Sequence, residues 1–151
     1  VQQVAPMVGV RESRRVLGDY VLTLEDIVSG RKFPDAVARN RYPVDIHLVQ
    51  PTGGSAKRPA AGDGRRPPDG EYHEIPYRCL LPRGVEGLLV AGRCISATFV
   101  AQSAVRIQPN CHSLGQAAGT AAALAARAGV SPRYLDAGEL RRVLRDQGAN
   151  V

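Results

Sequence analysis

The sequence predicts a mixed α/β fold of the α+β kind, with a few short strands, one alanine-rich helix and an amphipathic C-terminal helix. Three observations predict it. Short β-branched runs with period-two alternation occupy the first half. A long alanine-rich run closes at Gly129. A final segment opens on Asp136 and places Leu140, Val143 and Leu144 on one helical face before Gly148. At 151 residues and 44% hydrophobic content the chain has the size and composition of one globular domain. No apolar run approaches the roughly 20 residues that cross a bilayer, and no secretory leader is visible, so no membrane is expected.

Taken in order, the elements fall into three parts. In residues 1–50, Val8 to Leu22 reads as extended chain, β-branched around an arginine-rich centre. Thr23 and Asp26 stand at the N-cap and N3 positions of a capping box, so a short helix follows and stops at Gly30. Pro34 and Asp35 predict another helical turn through Arg39. Tyr42 to Val49 alternates Val44, Ile46 and Leu48 with Asp45 and His47, a half-exposed strand. Residues 51–70 are rich in Gly and Pro and hold almost nothing apolar beyond alanine, which predicts a flexible insertion. In residues 71–151, Tyr72 to Leu81 reads as extended and Gly87 to Gly92 as a short buried strand. A helix spans Pro109 to Gly129, Ser131 and Pro132 start a turn, and Asp136 with Glu139 forms a second capping box.

Charge and cysteine usage narrow the function. The formal charge is +6, but only Lys32 and Lys57 of the 20 basic residues are lysine, and the arginines are scattered. With no Trp and few other aromatics there is no stacking platform, so nucleic acid is not an expected partner. Cys79, Cys94 and Cys111 form neither a disulfide framework nor a metal-ligand pattern, which fits reduced thiols in a cytoplasmic protein and no metal. A GxSxG nucleophile elbow and a P-loop are both absent.

The most informative segment is 87–124, GLLVAGRCISATFVAQSAVRIQPNCHSLGQAAGTAAAL. A buried strand would deliver Gly92 and Arg93 at its end, and a helix would follow with Leu114, Gly115 and Gln116 near its start. Helix starts present free N–H groups and a positive dipole end. Small residues at Gly115, Ala118, Gly119 and Ala122 would admit a flat ligand or another backbone. An alanine-rich packing helix explains the same spacing.

This segment resembles the C-terminal flavin-contacting stretch of FAD-dependent oxidoreductases with a glutathione-reductase-like fold, and is most similar to a bacterial group of them. Further stretches resemble the group in the same order: GVRESRR at 9–15, SGRKFPDAVAR at 29–39, YPVDIH at 42–47, IPYRCLLP at 75–82 and LLVAGRCISA at 88–97. The resemblance implies the C-terminal portion of a two-domain flavoenzyme that exchanges hydride between FAD and a small-molecule substrate. It implies flavin-side roles for Gly92, Arg93, Arg106, Leu114, Gly115 and Gln116. With the residue chemistry it suggests Arg11 as a carboxylate clamp, His47 as an acid or base, and Tyr77 and Arg78 on the substrate side. The chain lacks GxGxxG, so the expected partners are FAD, substrate and a missing N-terminal Rossmann portion, with a homo-oligomer left open. A non-catalytic α+β binding or interaction module is the rival expectation.

Overall fold

The computed structural model describes residues 11, 14–46 and 64–151. Six regular elements occur among them. These are α1 (Leu24–Val28), β1 (Ala36–Asn40), β2 (His73–Pro76), α2 (Phe99–Val105), α3 (Gln108–Ala128) and α4 (Ala137–Asp146). Short 3-10 turns at Tyr77–Leu80, Gly92–Cys94 and Pro132–Tyr134 connect them. The expected mixed α/β fold is what forms.

Local signals placed several elements as expected. The Thr23 hydroxyl accepts from the Asp26 N–H at 3.3 Å while the Asp26 carboxylate accepts from the Thr23 N–H at 2.9 Å, so the capping box closes on both sides. Burial raises the Asp26 pKa, but hydrogen bonds from Thr23, Tyr20 and Arg31 outweigh it and hold the carboxyl below its ordinary value. α3 ends on Gly129 in the left-handed region, at φ 67°. The second box is half made. Asp136 caps α4 by accepting from the Gly138 N–H at 2.9 Å, without a reciprocal bond from Glu139.

Three elements differ from the sequence reading. The helical turn expected from Pro34 to Arg39 is instead β1. It pairs antiparallel with β2, Arg39 opposite Glu74 and Asn40 opposite His73, with an irregularity between Ala36 and Ala38. Pro34 and Asp35 look like a helix start, but a partner strand more than thirty residues away takes the backbone bonds. Residues 41–46 of the expected strand have no regular structure, and the Val44 N–H donates to the Arg65 carbonyl at 2.8 Å. Gly87 to Gly92 is not a buried strand either. Leu88 is 48% exposed, and the segment is held by the Val90 N–H donating to the Leu80 carbonyl and by Leu89 and Ala91 packing against the core. A strand needs a ladder beside it, and none exists there among the described residues. Tyr72 to Leu81 is extended only through Pro76 before turning into the 3-10 segment.

One hydrophobic core runs through both ends of the sequence, from Leu22, Ile27 and Val37 to Ile75, Leu80, Leu114, Leu140 and Leu144. α3 crosses against β1 and α4. The N-terminal segment is pinned by isolated bridges, Gly18 to Pro82 and Leu22 to Ala97. Gly18 is required there, because a Cβ would lie 2.8 Å from the Ser96 Cβ and 3.0 Å from the Arg78 carbonyl oxygen. Arg133 ties the last third to these segments through Asp19, Glu86 and the carbonyls of Pro82 and Val85. At the end of the insertion, Pro67 is buried beside Gly30. The rest of its flexible reading, 51–63, lies outside the described residues.

Candidate active site

The flavin-side residues expected from sequence separate into three groups. Gly92 and Arg93 open a 3-10 turn that packs on α3. Gly92 adopts φ 79°, and an added Cβ would lie 3.9 Å from the Cys111 Sγ on the first turn of α3. The Arg93 carbonyl accepts from Gln102 Nε2 at 3.2 Å, so buried Gln102 of α2 fixes the turn. Cys94 and Cys111 are both half-buried free thiols, and burial raises that of Cys111.

α3 starts at Gln108, within one residue of the expected Pro109, so Leu114, Gly115 and Gln116 sit deeper in the helix than their expected place near its start. Its bonding ladder opens with the Cys111 N–H donating to the Ile107 carbonyl at 3.0 Å. The N–H groups without an intrahelical acceptor are therefore those of Gln108 and Asn110, Pro109 having none. Leu114, Gly115 and Gln116 lie a turn or more inside the helix, so their N–H groups belong to the ladder and cannot be the free donors of a helix start. Their side chains also diverge. Leu114 is fully buried in the core. Gln116 donates to Gln147 Oε1 at 3.0 Å and braces α4. Gly115 alone faces open space, one turn after Cys111 on the same helical face, with nothing within 4 Å of its added Cβ. Gly119 continues this bare stripe with the same open surroundings.

Arg106 is buried at the C-cap of α2, where its Nη2 donates to the Asp45 carbonyl at 2.8 Å. It holds residues 44–46 against the core.

The expected substrate-side residues lie elsewhere. Tyr77 is buried, its hydroxyl donates to the Pro132 carbonyl at 2.9 Å, and burial pushes its pKa up to about 12. Arg78 grips Asp35 with two charge-assisted bonds, Nε at 2.9 Å and Nη2 at 3.1 Å. Both line an open cleft of about 510 Å³ with Leu81, Leu135 and Asp136, and none of the flavin-side residues lines it. Arg11 is exposed. His47 lies outside the described residues. The structure thus brings Gly92, Arg93 and Gly115 to one side of α3, and Tyr77 and Arg78 to another cleft.

No cluster of three or more metal-ligating side chains occurs among the described residues. No helix among them is long and apolar enough to cross a membrane.

Residues 1–144 match the family model described as FAD dependent oxidoreductase. The chain belongs to that family. No curated protein and no solved structure matches it. Membership supports a general oxidoreductase role with FAD as cofactor, and it favours that role over a non-catalytic binding module.

Sequence reasoning passed over one grouping. Arg39, Arg41 and Asn110 line a second cleft where the start of α3 meets β1. Arg39 and Arg41 share a face by strand spacing, and Asn110 directly follows the helix-opening proline, so the signals were present but far apart in sequence.

Proposed function

We propose that this family member contributes the flavin-facing wall of an FAD-dependent oxidoreductase that exchanges hydride with a small organic substrate. The observation that carries the reading is the bare stripe of α3. Gly115 and Gly119 present backbone to open space directly beyond the point where the Gly92 turn meets Cys111. A flat ring system fits against such a surface, and any side chain would fill it. FAD, when bound, supplies the two-electron chemistry.

The chain's own residues bind and orient. Gly92 and Gly115 keep the approach clear of side chains. Arg93, on the exposed turn, offers cationic charge toward that face. The start of α3 has no acidic residue in its first turn, so its positive end is uncompensated and favours negative charge nearby. Arg106 acts as a positioning residue through the Asp45 carbonyl. Tyr77 and Arg78 also position, since their polar groups are committed to Pro132 and Asp35. Arg11, which is exposed, is the substrate-side candidate for carboxylate binding, and His47 is the candidate for proton transfer. The glycine turn that holds a dinucleotide pyrophosphate comes from a nucleotide-binding unit beyond these residues.

Gly115→Val in the FAD-loaded protein tests the reading. The added Cβ has nothing within 4 Å among the described residues, so the helical circular dichroism should be retained. Bound flavin, measured by absorbance on the same sample, should fall sharply. Full flavin content in the folded variant would remove α3 from the cofactor site.

A further inference from the structure

The cleft at the start of α3 is a site of another kind. Its volume is about 320 Å³, enough for a small molecule, and it is walled by Arg39, Arg41, Tyr72 and Asn150 with Ile107 and Asn110 of α3. No carboxylate lines it. Ile107 and Asn110 form one side of the helix start, whereas Cys111 meets the Gly92 turn.

The wall has an excess of donors. Arg39 is partly compensated. Its Nη1 donates to Asn150 Oδ1 at 2.8 Å, its guanidinium stacks over Tyr72, and Glu74 lies 3.7 Å from its Nε. That Nε nevertheless has no hydrogen-bond acceptor. Arg41 is exposed and makes no ion pair or hydrogen bond among the described residues. Asn110 is only 4% exposed, yet its Nδ2 also has no partner. A buried donor without an acceptor loses its hydration uncompensated, so native structures rarely keep one without a use. The N–H group of Asn110 adds a backbone donor at the positive end of a 21-residue helix. Two acceptors on the wall are already engaged, Asn150 Oδ1 by Arg39 and Asn40 Oδ1 by the Tyr42 N–H at 3.0 Å.

We propose that this cleft binds a small molecule through a carboxylate or phosphate group, with Arg41 and Asn110 as its principal side-chain contacts. An oxyanion supplies several acceptors to a wall that has unused donors. The guanidinium fork of Arg41 matches either group. The proposal does not depend on flavin, because the side chains it uses, Arg41 and Asn110, are not among those assigned to the flavin face.

Nuclear magnetic resonance of the isotope-labelled 151-residue chain tests it, with sodium phosphate and sodium acetate as probes and sodium chloride at matched ionic strength as reference. Saturable shifts of the Asn110 side-chain amide and backbone N–H are expected with at least one probe. Saturation by phosphate alone assigns a phosphate ligand, and saturation by acetate alone a carboxylate. Arg41→Gln should weaken binding roughly tenfold, the loss of a charge-assisted bond. Its circular dichroism should be unchanged, because Arg41 is exposed. Arg41→Lys should recover part of the affinity by keeping charge without the fork. Shifts no larger than those in sodium chloride, or Arg41→Gln binding as tightly as the parent, would overturn the proposal.

Discussion

The layer between β1, β2 and α2 and the outer face of α3 handle polar backbone and side chains in opposite ways. In the first, polar groups are buried and mostly matched. Asn40 Nδ2 donates to the Ala104 carbonyl at 3.0 Å and lies 3.3 Å from His73 Nε2, and Glu74 accepts from the Phe33 N–H at 2.7 Å. On the second, Gly115, Gly119, Ala122 and Ala123 lie exposed, and nothing among the described residues comes within 4 Å of a Cβ added at either glycine. The first region is closed by its own sequence, although Arg39 Nε, His73 Nδ1 and Gln102 Oε1 keep no partner. The second is built smooth and left open, which is how a surface made for something outside the chain looks. Leu114, Gly115 and Gln116, consecutive in sequence, straddle the boundary, and substitutions there and in the finished layer can break or sharpen the contrast.

The largest effect is expected on the closed side. Leu114 is fully buried among core residues of α3, β1 and α4. Leu114→Ala should destabilise the chain by about 2–5 kcal/mol, from lost transfer energy and the cavity left behind. Denaturant unfolding would measure this. A change of less than about 1 kcal/mol would place Leu114 outside the core and return it to the candidate ligand face.

A comparable effect is expected from pH. Burial pushes the His73 imidazole down to about 4, and the Lys32 ammonium acts in the same direction. Its ordinary value in an unfolded chain is about 6.5. Between these two values the unfolded state binds the extra proton and the folded state does not. The stability His73 contributes is therefore fully present above about pH 6.5 and is lost as pH falls toward 4, by about 3 kcal/mol in all. The Asp26 carboxyl is held lower still, so its contribution is lost beneath that window. Unfolding free energies measured across the interval should fall for the parent and stay flatter for His73→Gln. Equal slopes would show that the β-layer is less closed than its hydrogen bonds indicate.

What was legible in the sequence was local. Thr23 and Asp26 contain their own capping box, Gly129 its own helix stop, and Asp136 its own cap, because each bond spans only a few residues. What was not legible depended on distant partners. Ala36–Asn40 forms a strand because His73–Pro76 lies beside it, and Gly87–Gly92 stays irregular because no strand does. The candidate site follows the same rule. Gly92, Arg93 and Gly115 were proposed from the family resemblance of one continuous segment. Leu114 was misplaced although Asn110, Leu114, Ala117, Ala121 and Ala125 repeat at helical spacing and mark the buried face. The cleft residues Arg39, Arg41 and Asn110 come from two elements that only the fold brings together.

The smallest expected effect probes the open side most directly. An alanine at Gly115 would place its Cβ in a position with no heavy atom within 4 Å, so it can neither overpack nor fill a cavity in this chain. What remains is backbone entropy, and alanine is favoured over glycine inside a helix by up to about 1 kcal/mol. Gly115→Ala should therefore raise the stability of the 151-residue chain slightly. In the FAD-loaded protein the same methyl group sits on the bare stripe, so bound flavin should fall while the chain itself becomes more stable. Opposite signs for stability and flavin content are hard to produce by general damage, which lowers both. They separate a face kept clear for a ligand from one that is merely alanine-rich. A loss of stability in the isolated chain would mean that α3 is already covered at Gly115, and the contrast between its two faces would fail.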